Sequence, residues 1–146
     1  MKKIFLILIL IFTFSFNAFS QASSLENVRI RIFSDKNIEE VLFIPSFGSY
    51  FLETEKGEKV KLNRTSKVKI TDLDGQVEIK INDTIFQKTK KITLTASGLK
   101  SFFQIKPIKP QIAERRYEDC LEISSKNKSL FIINIYSSYE NVTSFF

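Results

Sequence analysis

The chain of 146 residues lacks histidine entirely and has only one cysteine and four glycines. Without histidine, neither a Ser-His-Asp nor a Cys-His catalytic arrangement can form, and most types of zinc site are excluded. The glycines stand at positions 48, 57, 75 and 98, too far apart for a glycine-rich phosphate loop. A single cysteine, Cys120, excludes an intramolecular disulfide, so the fold must depend on its hydrophobic core.

The first twenty residues are typical of a secretory signal peptide. Two lysines precede an apolar run from Ile4 to Phe12, and Ala18 and Ser20 occupy the two positions that signal peptidase reads. We therefore predict export with cleavage after Ser20, a polar lead at 21–27 and one domain over 28–146. The alternative is an uncleaved membrane anchor, but the run is short for a span of about 20 apolar residues. No cysteine lies directly after the apolar run, which argues against a lipid anchor.

The charge of the chain is moderately basic. Its formal net charge is +6, and loss of the two lysines at positions 2 and 3 with the signal peptide lowers this charge to +4. A basic excess favours anionic partners. For an exported protein, wall polymers or lipid head groups are the expected anions, and nucleic acid is not expected. A lysine-rich surface without a specific partner is the alternative interpretation.

Short alternating apolar runs recur along the exported part. Spaced at intervals of about 8–12 residues, they predict a mainly β single domain of about nine or more short, mostly antiparallel strands, arranged as a sandwich or barrel. Asp74-Gly75 lies between two such runs and indicates a tight hairpin, because both residues tolerate positive φ. Pro45 is expected to end a strand, and Pro107 and Pro110 to impose an extended, unpaired crossing.

The phase of the alternation predicts which side chains are buried. The expected core residues are Val28, Ile30, Ile32, Val77, Ile79, Ile81, Leu121 and Ile123. The best candidate for helix is a single turn at Ile112–Arg116, which is also compatible with a strand.

The stretch from Arg115 to Ile123, followed by Leu130–Ile135, is the most informative part of the chain. One face of the first run carries Tyr117, Asp119, Leu121 and Ile123, and the other carries Glu118, Cys120 and Glu122. The joining segment 124–129 has no apolar residue and is rich in turn formers. This pattern predicts a β-hairpin over 117–135.

The hairpin pattern resembles the sporulation stage II protein D / LytB family of cell-wall proteins. That family opens the region with an Arg-x-Tyr-Arg-Gly-x-Leu type of strand, answered by a strand that ends in Val-Asn or Ile-Asn. The matching positions are Tyr117, Leu121, Ile133 and Asn134, whereas Glu118 and Asp119 replace the Arg-Gly pair. The run at 28–33 is similar to the family's opening strand, so the resemblance covers most of the exported chain.

The resemblance implies peptidoglycan as the partner but no catalytic residue in this chain. Family members continue with Gly-Val-Val and then a Glu, which is the catalytic acid of the lytic transglycosylases. The register from Asn134 places that Glu beyond position 146, so Glu140 is not its counterpart. Glu118 and Glu122 share a face beside solvent-exposed neighbours, and with Asp119 they are not expected to form a catalytic site. We expect no cofactor or metal.

Two functions remain open. In the first, the chain is the amino-terminal part of a peptidoglycan-acting protein of the amidase-enhancer type, truncated before the catalytic Glu, and it keeps a wall-binding surface. In the second, it is a free-standing exported β-domain that binds a protein or an anionic wall polymer. Neither requires a membrane span after cleavage.

Two smaller features also allow alternatives. Cys120 is either a small apolar filler or a free thiol open to oxidation after export. Asn63, Asn82, Asn127 and Asn141 each begin an acceptor pattern for N-linked glycans. The resemblance to a bacterial family favours coincidence for these four.

Overall fold

The computed structural model describes residues 27–98 and 100–137 of the chain, and these residues form an all-β fold. The predicted signal peptide at 1–20 and Glu140 lie outside the described residues. The strands, in chain order, are β1 (Val28–Arg31), β2 (Glu40–Phe47), β3 (Tyr50–Thr54), β4 (Lys59–Leu62), β5 (Val68–Leu73), β6 (Gln76–Ile81), β7 (Thr84–Thr89), β8 (Lys91–Ala96), β9 (Phe102–Lys109), β10 (Arg115–Glu118), β11 (Cys120–Lys126) and β12 (Ser129–Tyr136).

The strands form two six-stranded sheets. Sheet A has the order β1-β12-β11-β8-β3-β4, and sheet B has the order β10-β9-β2-β5-β6-β7. Every neighbouring pair is antiparallel, so the predicted mainly β, antiparallel domain is confirmed. The described residues contain no helix, and in particular none that is long and apolar enough to cross a membrane.

Both sheets contribute side chains to one core. Alternate residues of the central strands point inward, as the period of two dictates. The buried apolar side chains are Tyr50, Leu52, Leu62, Ile92, Leu94, Leu121, Ile123, Leu130 and Ile132 from sheet A, Val41, Phe43, Val68, Ile70, Val77, Ile79, Phe103 and Ile105 from sheet B, and Ile32, Phe33 and Ile38 from the connection between β1 and β2. Burying each such side chain contributes about 1.5–3 kcal/mol, and no disulfide is available to replace it.

Tight turns join several of the hairpins at residues with positive φ. Asp74 (48°) and Gly75 (93°) turn β5 into β6, as predicted. Asn82 and Asp83 do the same between β6 and β7, and Asn127-Lys128 between β11 and β12. Such two-residue turns need left-handed backbone at both positions because its twist matches that of the flanking strands.

The predicted core is partly confirmed and partly wrong. Ile32, Val77, Ile79, Leu121 and Ile123 are buried, and Ile81 is partly buried against the core. The side chains of the remaining two, Val28 and Ile30, are 51% and 46% exposed. Both belong to β1, the edge strand of sheet A. An edge strand shows the same alternation as a central strand, but less of the opposite layer covers it.

The predicted effects of proline were wrong at two positions. Pro45 lies inside β2 and Pro107 inside β9, and both are buried. Each proline stands beyond the end of one flanking strand, because β5 pairs with Glu40–Phe43 only and β10 with Phe102–Ile105 only. Each proline is therefore paired with a strand on one side only, and on the other side there is no ladder hydrogen bond for it to remove. The pairing of β2 with β9 shifts register beside both prolines. The candidate turn of helix at Ile112–Arg116 does not form, and the alternative given for it, a strand, is confirmed for Arg115 and Arg116, where β10 begins.

Candidate functional site

The stretch predicted as a single strand from Arg115 to Ile123 is two strands in different sheets. β10 ends at Glu118 as the edge of sheet B, and β11 begins at Cys120 within sheet A. Asp119 links them with a φ of 64°, which makes a sharp corner. Its N–H donates to the carbonyl of Ser101 at 3.3 Å, and its Oδ2 accepts from the N–H of Ser137 at 3.1 Å.

Asn134 holds this corner from the neighbouring strand. Its side chain is completely buried, and its Nδ2 donates to the carbonyls of Glu118 at 2.9 Å and Cys120 at 2.8 Å. These are the carbonyls on either side of Asp119. One amide group therefore satisfies two acceptors at the point where the chain changes sheets, which is where ladder hydrogen bonds are interrupted.

The other motif positions have structural environments as well. Tyr117 is partly buried and stacks on Phe103, with ring centroids 5.9 Å apart and an interplanar angle of 28°. Leu121 is fully buried in the core. Ile133 is partly buried on the opposite face of β12 from Asn134. The four positions therefore support the fold around the corner, and none of them provides a reactive group.

The acidic residues of the hairpin are not brought together on one face, contrary to the sequence prediction. Glu118 is exposed at the end of β10, whereas Glu122 lies on β11 in the other sheet. Glu122 accepts from Arg29 at 2.9 Å and lies 3.5 Å from Lys91, so two cations already neutralise it. The alternation rule failed because it assumed one continuous strand.

A groove opens beside the corner at the edge of the two sheets. Its volume is about 260 Å³, and it is lined by Phe102, Arg116, Tyr117, Glu118 and Tyr136. Partial burial, with added effects of the negative Glu118 and Asp119, raises the pKa of Tyr136 above its usual value. The hydroxyl of Tyr136 therefore stays protonated and available as a hydrogen-bond donor throughout the physiological range.

A strip of four side chains continues from this groove along sheet B to the β4–β5 connection; three of them are exposed and Phe102 is half-buried. The guanidinium of Arg116 lies 4.3 Å from the ring centroid of Phe102, and that centroid is 6.0 Å from the centroid of Phe47. The guanidinium of Arg64 lies 5.0 Å from the Phe47 ring, which is 45% exposed. We call Arg64, Phe47, Phe102 and Arg116 the arginine–phenylalanine strip.

Sequence reasoning missed the strip because its members are distant in the chain. Phe47 and Phe102 become neighbours only through the pairing of β2 with β9, after the register shift that follows Pro45. One local signal was present in Phe102-Phe103. In a strand, two adjacent aromatic residues must point to opposite faces, so one of them has to leave the core. Phe103 is buried, and Phe102 is the outward member.

The strip is suited to binding and not to chemistry. Aromatic faces carry negative charge and attract polarised C–H groups such as those of sugar rings, and arginines bind carboxylates through paired N–H groups. Among the residues that the structure describes, no three carboxylate or thiol groups are placed to hold a metal ion. Cys120 is a half-buried free thiol, which fits both interpretations given above.

Two of the asparagines in glycan-acceptor patterns have a structural role in turns. Asn63 Oδ1 accepts from the N–H of Thr65 at 3.0 Å, and Asn82 Oδ1 accepts from the N–H of Lys67 at 2.9 Å. Such bonds explain asparagine at these positions without a glycan. Asn141 lies outside the described residues.

No family model, no curated protein and no solved structure matches this chain.

Proposed function

We propose that this chain is an exported, cell-wall-associated protein related to the sporulation stage II protein D / LytB family, and that it binds peptidoglycan without cleaving it. The observation that carries the proposal is the arginine–phenylalanine strip together with the adjoining groove. Two neighbouring rings, the exposed Phe47 and the half-buried Phe102, each have an arginine beside them and form a continuous surface along sheet B. A glycan strand is an extended ligand that such a surface fits.

The corner at Asp119 supports the relationship to the family. Where the family has glycine, Asp119 has a φ of 64°, a conformation that glycine adopts without strain. The asparagine of the second motif strand corresponds to Asn134, which binds the carbonyls on both sides of that residue. The two motif positions thus make one corner, which gives a physical reason for finding them together in a sequence.

The chemistry of the strip supports peptidoglycan as the ligand. Peptidoglycan consists of amino-sugar chains with short peptides that carry carboxylates. Phe47 and Phe102 offer to the sugar rings the apolar surface that the arginines leave uncovered, and Arg64 and Arg116 offer positive charge to the carboxylates. Tyr136 adds a hydroxyl donor in the groove beside them. The basic net charge of the chain, +4 after loss of the two lysines at positions 2 and 3, adds a long-range attraction to an anionic wall.

The positions of the described carboxylates support binding without cleavage. Glycan hydrolysis normally uses two carboxyl groups across one cleft, one of which has a raised pKa. Here Glu118 and Glu122 lie in different sheets, and Glu122 is bound by Arg29 and Lys91. Histidine is absent from the whole sequence and offers no alternative acid.

Retention on insoluble peptidoglycan tests the proposal. Residues 21–146, which include every described residue, would be incubated with purified sacculi and sedimented. We expect the wild-type protein to sediment with the wall and the double variant F47A/F102A to bind at least tenfold more weakly, since each lost stacking contact is worth about 1 kcal/mol. F86A is the matched control, because Phe86 is a comparably exposed phenylalanine, 37% exposed, on β7 at the far edge of sheet B.

Two results would contradict the proposal. Equal retention of F47A/F102A and the wild type would remove the strip as the binding surface, and release of muropeptides above a heat-denatured control would show cleavage. Soluble glycan fragments should compete with sacculi for the wild type. If they do not compete, a wall-bound protein or another wall polymer is the ligand.

A further inference from the structure

A second cavity lies on the other sheet, at the tip of the β11–β12 hairpin. Its volume is about 310 Å³, and it is lined by Arg31, Asn37, Lys126, Asn127, Ser129 and Phe131. It shares no residue with the strip or with the groove beside Tyr136. We call it the Phe131 pocket.

Two cations lie over the same aromatic ring in this pocket. The guanidinium of Arg31 is 4.4 Å from the Phe131 centroid, and the ammonium of Lys126 is 5.4 Å from it. The ring attracts both cations and limits their movement, so their charges are already in place before a ligand arrives. The remaining lining side chains are the amides of Asn37 and Asn127, which can donate hydrogen bonds, and the Ser129 hydroxyl, which donates to the carbonyl of Lys126 at 3.1 Å and can accept one.

The charge of the pocket is not neutralised by the described part of the protein. None of the six lining residues is acidic, and no acidic group of the described residues lies within 4.0 Å of Arg31 or Lys126. Arg29, two residues from Arg31 on the same strand, is paired with Glu122 at 2.9 Å. Two like charges near one ring repel each other, and an anion between them would remove that repulsion.

The turn beside the pocket has strained backbone, which also indicates a binding site there. Asn127 and Lys128 have φ values of 54° and 59°. Asparagine tolerates this conformation, but lysine there costs roughly 1–2 kcal/mol where glycine would cost almost nothing. Lys128 therefore places a non-glycine residue with backbone strain in the turn that adjoins the pocket residues Asn127 and Ser129.

We infer that the Phe131 pocket binds the phosphate monoester of a sugar or a similar polyol. A phosphate monoester carries about two negative charges at neutral pH, which matches the two cations better than a singly charged carboxylate does. The volume is at the small end of ligand sites, so it holds one phosphorylated unit and not a long oligomer. The amides of Asn37 and Asn127 bind the polyol hydroxyl groups, and the Ser129 hydroxyl accepts a hydrogen bond from one of them.

Titration with defined anions tests this inference on residues 21–146. Glucose 1-phosphate is the dianionic probe and glucuronate the singly charged probe, followed by calorimetry and by the amide NMR signals of Asn127 and Ser129. We expect glucose 1-phosphate to bind about tenfold more tightly than glucuronate, and R31Q or K126Q to weaken it by about tenfold each, because each removes a charge-assisted hydrogen bond. Raising the salt concentration should weaken binding as well.

K59Q is the matched control, because Lys59 lies 4.6 Å from the Phe51 ring on the same sheet but does not line the pocket. Equal affinity for the two probes, or an equal loss in K59Q, would overturn the inference. Thermal unfolding of each variant shows whether R31Q has damaged the edge strand, and K126Q is the second variant if it has. F47A/F102A should bind glucose 1-phosphate normally, which separates this pocket from the strip.

Vesicles identify the source of the phosphate group. Phosphatidylcholine vesicles with phosphatidic acid present the same monoester on a lipid. Binding to these vesicles that is lost in R31Q and K126Q, and that competes with glucose 1-phosphate, assigns the pocket to a lipid head group. Binding of soluble glucose 1-phosphate without vesicle binding assigns it to a phosphorylated carbohydrate. Absence of binding to both would overturn the inference.

Discussion

The side-chain amide of Asn134 bridges the two peptide carbonyls that flank Asp119, at 2.9 Å and 2.8 Å. Asn134 belongs to β12 in sheet A, and Asp119 is the residue at which the chain leaves sheet B. A single buried side chain thus fixes the direction in which one strand ends and the next begins. The corner, and with it the position of β10 and its groove, depends on this contact.

Asn134→Ala should be strongly destabilising. It removes two hydrogen bonds and leaves the carbonyls of Glu118 and Cys120 without their donor, a loss that removal of the buried, unpartnered Oδ1 of Asn134 partly offsets. We therefore expect the free energy of unfolding to fall by about 2 kcal/mol. Urea denaturation followed by circular dichroism measures the loss. Asn37→Ala, at an exposed asparagine, should change stability by less than about 0.5 kcal/mol. Equal effects of the two variants would contradict a special role for Asn134.

Asp119→Gly should be tolerated, whereas Asp119→Val should not. Glycine accepts a φ of 64° without strain and loses only the bond to Ser137 N–H, so we expect a change within about 0.5 kcal/mol. A β-branched residue in this conformation should cost more than about 2 kcal/mol. Thermal unfolding of the two variants makes the comparison. A valine variant as stable as the glycine variant would show that the corner has another conformation in solution.

Tyr50→Phe should stabilise the protein, and increasingly so at alkaline pH. Tyr50 is fully buried, and no group in the described residues accepts or donates a hydrogen bond to its hydroxyl. Removing that hydroxyl should contribute about 1 kcal/mol at pH 8. Burial, with smaller effects from Cys120, Asp119 and Glu118, raises the pKa of Tyr50 above its usual value of 10.0.

The sign of the pH effect follows from that raised pKa. Below pH 10 the hydroxyl is protonated in both states, and its contribution to stability is constant. Above pH 10 the unfolded chain loses the proton while the folded protein retains it, so the wild type loses about 1.4 kcal/mol per pH unit from this group. The advantage of Tyr50→Phe should therefore widen from pH 10 to 11. An advantage that stays constant would mean that water reaches the hydroxyl.

Lys128→Gly should stabilise the fold by about 1 kcal/mol, because it relieves a non-glycine residue at a φ of 59°. Gly75→Ala tests the reverse change in the Asp74-Gly75 turn, where φ is 93°. No atom lies within 4 Å of an added Cβ at Gly75, so a loss of about 1 kcal/mol there would come from the backbone alone. Denaturation midpoints of both variants are the measurement. Destabilisation by Lys128→Gly would contradict the strain at that turn.

Alternation in the sequence was enough to predict the strands that lie in the middle of a sheet. Val77, Ile79, Leu121 and Ile123 are buried as expected, because each inward position of a central strand meets the other layer. Val28 and Ile30 have the same pattern but lie at an edge. Alternation specifies the face of a strand and carries no information about its place in a sheet.

The corner at Asp119 was not predictable for a related reason. Tyr117 points toward the core from sheet B, and Leu121 points toward the same core from sheet A. The inward phase is therefore the same before and after the corner, and the sequence reads as one unbroken strand. The strip was hidden for the same kind of reason, since Phe47 and Phe102 meet only through a long-range strand pair. Aspartate is favoured in turns and depleted in strands, so Asp119 itself was the one local sign of the corner, and the regular alternation around it outweighed that sign.

The pairing of β1 with β12 determines when this protein can finish folding. Val28 is aligned with Tyr136 and Arg31 with Ile133, so β1 cannot pair until β12 is present. Contacts this distant in sequence slow folding, typically to milliseconds or seconds in all-β domains. A chain emerging from the ribosome cannot complete sheet A until it has been synthesised as far as Tyr136. Until β12 is available, β1 has no partner strand, and its unpaired backbone groups can pair with another chain.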